Sequence, residues 1–241
     1  MKVHHRHRHR LVNRTVRTAP RPVDHATWLR LVHEQLGQTL DEGVVPLGKE
    51  GARSAIFKAT LLQYGYTFVA KATVEEFIVD LEHEADIYQT LERLQGVDIP
   101  VFLGTADLRP MSRTYFYAPG VRIVYMLLFS WGGNTIPHPV AATMPEQDVV
   151  NQAEEQAVVD LITRIHALGV LHGDVRHENF LQNPETSRFI VIDFERSVNV
   201  DLRRRSPRII RSASPVSAAS HPLTAMDIAS ARMMVRGHAS L

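Results

Sequence analysis

The ten residues 171–180, LHGDVRHENF, constrain the fold of this chain more than any other stretch of the sequence. Before them, apolar residues recur at helical spacing over 147–168 and stop at Gly169, which predicts a long helix and its end. After them comes the apolar run 189–192, typical of a buried strand, which stops at Asp193. The pattern predicts a loop that carries charged and polar side chains between a long helix and a buried strand.

The first half of the chain has a different pattern, of short strands with one long helix among them. Strands are predicted at 44–47, 55–62, 66–73, 99–106 and 122–129. The long helix is predicted over 75–94, and an earlier one begins near Asp24 and ends at Gly37. Trp131-Gly132-Gly133 is the natural joint between the two halves. We therefore predict an α+β fold of two lobes around a cleft.

Composition excludes several classes of protein. Hydrophobic residues make up 44% of the chain, which is enough for a core, and the absence of Cys excludes disulfides and thiolate metal sites. The longest apolar runs, such as 123–129, are far shorter than a membrane span. The basic N-terminus lacks the apolar stretch and cleavage site of a secretory signal, so we expect a cytoplasmic or nuclear protein.

The charges are unevenly distributed along the chain. Residues 1–22 carry seven Lys or Arg and no acid, and residues 202–241 carry seven Arg and one acid, whereas 23–201 carry 13 basic and 25 acidic residues. An acidic body argues against a nucleic-acid-binding core, although the basic tails could contact nucleic acid or acidic lipid weakly. The four histidines within 4–10 either bind a metal ion or belong to a disordered basic tail, and we favour the tail.

A lysine and a glutamate in the first half are predicted to pair. Glu84 lies in the apolar stripe of the helix predicted over 75–94, between Leu81 and Tyr88, where a carboxylate is costly to bury without a cation. The nearest plausible cation is Lys71, in a predicted strand among small apolar residues. A strand lysine held by a helix glutamate orients an ammonium group toward nucleotide phosphates. The alternative is that each residue is an ordinary surface charge.

The second half contains the spacing of a kinase catalytic loop. Asp174 and Asn179 stand five residues apart, as in His-Arg-Asp-x-x-x-x-Asn, where the Asp accepts the proton of the substrate hydroxyl and the Asn binds Mg²⁺. Fourteen residues after Asn179, Asp193-Phe194 follows the buried strand. In the same template this Asp binds the Mg²⁺ that bridges the phosphates.

In order and spacing, these motifs resemble the protein-kinase-like superfamily over about residues 44–200. The His172-Gly173-Asp174 form is similar to atypical members, namely aminoglycoside and choline kinases, RIO-type kinases and, most of all, small fungal kinase-like proteins. The resemblance implies a bilobal fold, with an N-lobe antiparallel sheet plus one helix and a shortened helical C-lobe. The expected organisation is a basic tail at 1–23, an N-lobe at 24–130, a C-lobe at 131–200 and a partly disordered basic segment at 201–241.

The resemblance also implies a role for each motif residue. Lys71 contacts the α- and β-phosphates of ATP, and Glu84 holds it in place. Asp174 is the catalytic base, and Asn179 and Asp193 are ligands of Mg²⁺.

Further ATP contacts are implied outside these five residues. Arg176 stands where protein Ser/Thr kinases usually have Lys, and its fixed charge would meet the γ-phosphate. Gly48 and Gly51 are the glycines of a phosphate loop that has no third glycine, and the alternative is an ordinary hairpin turn. Backbone groups at Ser130 and Gly132 are expected to contact adenine.

The chain also departs from the kinase pattern. Glu195 replaces the Gly of Asp-Phe-Gly, which we expect to limit rearrangement of that turn and to add negative charge near the metal. No Ala-Pro-Glu follows, and only 48 residues run from Phe194 to Leu241. The segment 223–235 is predicted to be helical, and Asp227 within it either supports the catalytic loop or is an ordinary surface acid. Ser206-Pro207 and Ser214-Pro215 are either phosphorylation sites or part of a disordered tail.

Three functions follow from these observations. The first is an ATP- and Mg²⁺-dependent kinase that acts on protein Ser/Thr hydroxyls, and the second is a small-molecule kinase of the aminoglycoside or choline type. The third is a nucleotide-binding pseudokinase or scaffold, although a scaffold has no need of the complete residue set. A metal-dependent hydrolase that uses His172, Asp174 and His177 leaves Lys71 and Glu84 unexplained.

Overall fold

A computed structural model describes residues 23–39, 42–50, 53–118, 120–136, 147–200 and 221–236. The predictions for the basic tail before residue 23, for Gly51, and for Ser206 and Ser214 lie outside these residues. The described residues form four α-helices: α1 (His25–Gln38), α2 (Ile78–Thr90), α3 (Gln147–Ala167) and α4 (Pro222–Arg236). They also form short 3₁₀ turns at Glu75–Phe77, Glu92–Leu94 and His177–Asn179.

Twelve strands are found in the same residues. In the first half they are β1 (Val44–Glu50), β2 (Ser54–Leu61), β3 (Tyr66–Thr73), β4 (Phe102–Asp107), β5 (Tyr115–Ala118), β6 (Val121–Ile123) and β7 (Tyr125–Phe129). In the second half they are β8 (Asn134–Thr135), β9 (Val170–Leu171), β10 (Phe180–Gln182), β11 (Phe189–Val191) and β12 (Val198–Asn199).

The first lobe is built on a five-stranded antiparallel sheet with the order β1-β2-β3-β7-β4. Because successive side chains of a strand point to opposite faces, β3 serves two cores. Phe68, Ala70 and Ala72 pack with α1, whereas Val69 packs toward α2. Lys71, at the position of the same parity as Val69, reaches the α2 side of the sheet and contacts that helix.

Helix α1 covers the face of the sheet opposite to α2. Asp24 caps its first turn, since its carboxylate accepts a hydrogen bond from the Thr27 N–H at 3.0 Å, and this bond lowers the pKa of Asp24. Trp28, Val32 and Leu36 form the buried stripe. The predicted start near Asp24 is confirmed, and the helix ends one residue beyond Gly37. The N-lobe therefore carries this helix in addition to the one implied by the kinase resemblance.

The helix predicted over 75–94 is divided into three parts. A 3₁₀ turn precedes α2 and another follows it, and the chain then turns at Gly96, whose φ of 76° is readily adopted by glycine. The side chains of Leu81 and Tyr88 are fully or almost fully buried against the sheet, and Glu84 lies between them with 1% of its surface exposed. The helix thus carries a carboxylate into the core, as the apolar stripe predicts.

The second lobe is mainly helical. Helices α3 and α4, predicted over 147–168 and 223–235, pack against each other, and Ala231 of α4 is fully buried in the same core as Leu161 and Ile165 of α3. Strands β9 and β12 pair beside them, and β8, β10 and β11 form a small antiparallel sheet. The α+β bilobal class predicted from the sequence is confirmed. Within the described residues, no helix combines the length and hydropathy needed to cross a membrane.

A buried aspartate, Asp98, connects the two lobes. The carboxylate of Asp98 accepts two hydrogen bonds from the Arg164 guanidinium of α3, both at 2.7 Å, and its backbone C=O accepts from the Val191 N–H of β11. A bidentate pair of this kind fixes orientation as well as distance. Gly132 crosses close by, where a Cβ would lie 3.0 Å from Leu181 Cδ1 and 3.2 Å from Pro100 Cγ.

Candidate active site

The strand lysine and the helix glutamate form a direct pair. Lys71 Nζ of β3 lies 2.7 Å from Glu84 Oε2 of α2, and both side chains are buried. The second oxygen of Glu84 accepts a hydrogen bond from the Phe194 N–H at 3.2 Å. Glu84 therefore connects the strand lysine to the turn that follows β11, and it is not a surface charge.

Asp193 lies on the same ammonium group. Its Oδ1 atom is 2.7 Å from Lys71 Nζ, which joins residues 122 positions apart in the chain. The backbone of Asp193 has a φ of 71°, so the second residue after β11 turns in the left-handed region, and its carboxylate lies against Lys71. The positive φ lies at Asp193, and the turn does not require one at Glu195, where glycine is usual.

Glu195 brings a third carboxylate to Lys71. Its Oε1 atom lies 2.9 Å from Lys71 Nζ, and 15% of its side chain is exposed. The sequence predicted that Glu195 adds negative charge near the metal ligands, but it did not predict this contact. One ligand oxygen from each of Glu84, Asp193 and Glu195 lies within 4.8 Å of the others.

The charges in this cluster shift one another's pKa values. Burial alone lowers the pKa of the Lys71 ammonium, but Glu84, Asp193 and Glu195 outweigh it, and the pKa is raised. Burial raises the pKa of Glu84, although Lys71 opposes this effect. Burial also acts to raise the pKa of Asp193, but Lys71 dominates and lowers it.

The catalytic-loop string lies between β9 and β10, facing this cluster. Asn179 Nδ2 donates to the backbone C=O of Asp174 at 2.9 Å and lies 3.3 Å from Asp174 Oδ2, so the two predicted residues are held together. Asn179 also accepts, through its backbone C=O, a hydrogen bond from the Ile192 N–H beside Asp193. Arg176 Nε lies 3.4 Å from Asp174 Oδ2, and its side chain is largely exposed.

Asp227 of α4 supports the catalytic loop. Its carboxylate accepts hydrogen bonds from the backbone N–H groups of His172 at 2.8 Å and Gly173 at 3.0 Å, and it lies 3.0 Å from His166 Nε2. The side chain is 3% exposed. Of the two roles left open by the sequence, the supporting role is confirmed and the surface acid is wrong.

Gly173 cannot be replaced by a residue with a side chain without strain. Its φ is 75°, and a Cβ built on it would lie 2.7 Å from the backbone oxygen of Arg196. This packing explains the His-Gly-Asp form of the loop, because any other residue would meet both the left-handed backbone and the neighbouring chain.

His172 is a structural residue of the loop. It is fully buried, its Nε2 donates to the backbone C=O of Ile192 at 3.1 Å, and its Nδ1 accepts from the Asp174 N–H at 3.3 Å. Burial lowers the pKa of its imidazole. Since both ring nitrogens are engaged, His172 cannot be a metal ligand, and the hydrolase alternative loses one of its three residues.

The oxygen atoms in the cleft suit a Mg²⁺ ion. Mg²⁺ prefers carboxylate and carbonyl oxygens and is held in phosphotransferases by one or two of them together with substrate phosphates. The side chain of Asp193 is 28% exposed. Asn179 uses Nδ2 within the loop, and its other side-chain heteroatom, Oδ1, is an oxygen of the kind that Mg²⁺ prefers. The donor set therefore fits the metal that the kinase resemblance implies.

The predicted adenine and phosphate-loop residues are partly described. Gly48, in β1, has a φ of 64° and open space around it. Gly51 lies outside the described residues. The Ser130 N–H donates to Val101 O, and Ser130 Oγ accepts from the Val101 N–H, both at 2.9 Å, so these two groups already have protein partners. Gly132 lies against the second lobe, as described above.

Two supporting histidines were not found from the sequence. His166 of α3 lies against Asp227, and His83 of α2 has its Nε2 atom 2.8 Å from the backbone C=O of Ser197. The Ser197 hydroxyl in turn donates to the backbone C=O of His172 at 3.0 Å. His166 falls in the apolar stripe of α3, and a buried polar side chain needs a partner, which was the available signal.

This fold and this site are similar to those of protein-kinase-like proteins. Residues 140–208, which include the catalytic loop and Asp193, match the family model described as the lipopolysaccharide kinase (Kdo/WaaP) family. The chain is also 40% identical over 151 residues to the meiotic driver SPOK2 of the fungus Podospora anserina, a match that covers 62% of this chain and 18% of that protein. The matched region thus spans about a fifth of that relative. The resemblance to the protein-kinase-like superfamily is confirmed.

Proposed function

We propose that this chain is an ATP- and Mg²⁺-dependent phosphotransferase that transfers the γ-phosphate of ATP to a protein Ser or Thr hydroxyl. The observation that carries the proposal is the assembly around Lys71, whose ammonium group joins Glu84 of α2 to Asp193 after β11. Three separate parts of the chain converge there, and the catalytic loop faces them. Phosphoryl transfer depends on this placement of charge, since positioning and electrostatic stabilisation provide most of the catalysis.

Each residue has a defined part in the proposed reaction. Asp174 accepts the proton of the attacking hydroxyl. Asn179 holds Asp174 in place, because Asn179 Nδ2 donates to the backbone C=O of Asp174 and lies 3.3 Å from the Asp174 carboxylate. Lys71 orients the α- and β-phosphates, and Glu84 fixes Lys71. Asp193 and Asn179 would hold Mg²⁺, which would neutralise charge on the phosphate oxygens. Arg176 is placed beside Asp174 to approach the γ-phosphate.

A carbohydrate hydroxyl is a second candidate for the acceptor. The observation that favours it is the match of residues 140–208 to a family whose description names lipopolysaccharide kinases. The catalytic loop lies inside this match, so the part of the chain that receives the acceptor is the part that is similar.

The complete set of Lys71, Glu84, Asp174, Asn179 and Asp193 supports an enzyme over a scaffold, which has no need of all five.

The proposal is tested by comparing the wild type with Asp174→Asn. Purified protein is incubated with Mg²⁺ and ATP labelled at the γ-phosphate, together with protein mixtures, lipopolysaccharide sugars and amino alcohols. We expect Asp174→Asn to lower transfer at least about 100-fold, because a general base contributes roughly 10²–10⁴-fold to the rate. Binding of Mg²⁺·ADP should change little, since the base acts in transfer and not in binding.

Asp86→Asn is the matched control, because Asp86 is an exposed aspartate on the outer side of α2. It should retain wild-type transfer. If the wild type binds Mg²⁺·ADP but labels none of the acceptors, the hypothesis of a nucleotide-binding scaffold replaces that of an enzyme. The acceptor that is labelled decides between protein and carbohydrate.

A further inference from the structure

The proposed reaction requires Lys71 to contact a nucleotide phosphate, yet its ammonium group is already surrounded. An ammonium has three N–H donors. Three carboxylate oxygens lie within 2.9 Å of Lys71 Nζ: Glu84 Oε2 and Asp193 Oδ1 at 2.7 Å and Glu195 Oε1 at 2.9 Å. A phosphate oxygen can therefore reach Lys71 only if one carboxylate gives up its place.

Glu195 is the carboxylate best placed to give way. Glu84 is almost fully buried and also accepts the Phe194 N–H, so moving it would break a second hydrogen bond in the core. Asp193 lies two residues after β11 and is the expected ligand of the metal. Glu195 lies in the turn that follows and is partly exposed. Within the described residues, Lys71 is the cation with which it pairs.

The charges around Lys71 also oppose a nucleotide without metal. One ammonium is outnumbered by three carboxylates, so this end of the cleft is negative before any phosphate arrives. Like charges a few ångströms apart repel strongly at the low effective dielectric constant of a protein cleft. A glycine at position 195, as in Asp-Phe-Gly, would remove one of these charges and free one donor of Lys71.

We propose that Glu195 competes with nucleotide phosphate for Lys71 and thereby makes nucleotide binding dependent on a divalent cation. The proposal rests on the proposed function, because it assumes that the cleft binds a nucleotide. A divalent cation supplies positive charge that offsets the carboxylates, which releases Lys71 for the phosphates. Glu195 is thus a residue that determines the form in which the nucleotide binds.

The experiment measures the affinity for ADP by calorimetry, in Mg²⁺ and separately in EDTA, for wild type and Glu195→Gln. Gln keeps the length of the side chain and removes the charge. We expect wild type to bind ADP in Mg²⁺ and to bind it much more weakly in EDTA. Glu195→Gln should bind ADP in EDTA at least about tenfold more tightly than wild type does, since removal of a unit charge a few ångströms from the phosphates is worth that or more.

Three controls accompany this comparison. Glu185→Gln removes an exposed carboxylate from the turn between β10 and β11 and should leave both affinities unchanged. Lys71→Met combined with Glu195→Gln should lose most of the gain in EDTA, because competition for Lys71 requires the ammonium, and only the relief of charge repulsion would remain. Glu195→Gly is a second variant that removes the same charge, and thermal melting checks that each variant is folded.

Each outcome decides the question. Equal affinities of wild type and Glu195→Gln in EDTA overturn the competition, even where both bind Mg²⁺·ADP and the proposed function stands. A loss of affinity in Mg²⁺ with no gain in EDTA also overturns it, since Glu195 would then act as a metal ligand. If no protein binds ADP under either condition, both this inference and the proposed function are wrong.

Discussion

Replacing Asp227 by Ala tests how the catalytic loop is held. The substitution leaves the backbone N–H groups of His172 and Gly173 without their acceptor in a buried site. A buried donor without a partner costs about 1–3 kcal/mol, so two of them cost about 2–6 kcal/mol. Removal of a buried carboxylate recovers part of this cost, because its desolvation no longer opposes folding. We expect the free energy of unfolding to fall by about 3 kcal/mol, a large part of the roughly 5–15 kcal/mol of a typical domain.

The measurement is equilibrium unfolding in urea followed by circular dichroism, with Asp86→Asn as the control. Asp227→Asn is the finer test. The single side-chain oxygen of Asn can accept from only one of the two N–H groups, of His172 and Gly173, and its NH₂ group would face the other. This variant should lose about 2 kcal/mol. Transfer activity should fall in both variants, since the loop that positions Asp174 loses its support. A loss of stability below about 1 kcal/mol in Asp227→Ala would show that the loop is held by other contacts.

Two further predictions concern the same loop. Gly173→Ala should lose about 2–3 kcal/mol of stability, because its Cβ meets the Arg196 C=O and its φ is positive. Gly37→Ala is the control, because Gly37 lies in open space in α1, and it should gain up to about 1 kcal/mol. Equal effects of the two substitutions in urea unfolding would contradict the packing argument. His172 has a folded-state pKa lowered by burial, so the unfolded state binds its proton first as the pH falls below about 6.5. Stability should drop by up to about 1.4 kcal/mol per pH unit from there until the folded pKa is reached. His172→Gln should lack this slope, and parallel pH profiles of the two proteins would disprove the assignment.

The fold could be predicted from the sequence where one local pattern decides the structure. The long helix before the catalytic loop, the start of α1 at Asp24 and the helix that carries Asp227 all appear within a residue or two of their predicted bounds. Periodicity and capping residues are local, so they remain readable without tertiary information. Strand β5 was missed, although Tyr115 begins a run typical of a strand and the sequence pair Pro-Gly at 119–120 is a turn signal.

The candidate site was predictable to the extent that its residues belong to motifs. Lys71, Glu84 and Asp193 were identified because spacing along the chain places them in a recurrent order. The approach of Glu195 to Lys71 was not predictable, since it depends on the path of a turn 124 positions further along the chain. The same holds for His166 beside Asp227, because a contact between two helices depends on their packing and leaves no periodic trace in either.

The backbone at Gly173 has a consequence for how such a chain can be switched. In many kinases an arginine next to the catalytic Asp recruits a phosphate group on a neighbouring loop, which orders the loop only after modification. Here no side chain can extend from that position, because the Arg196 C=O occupies the space where a Cβ would stand. Asp227 already satisfies the two N–H groups of this turn. We therefore expect the catalytic loop to acquire its working conformation when the chain folds.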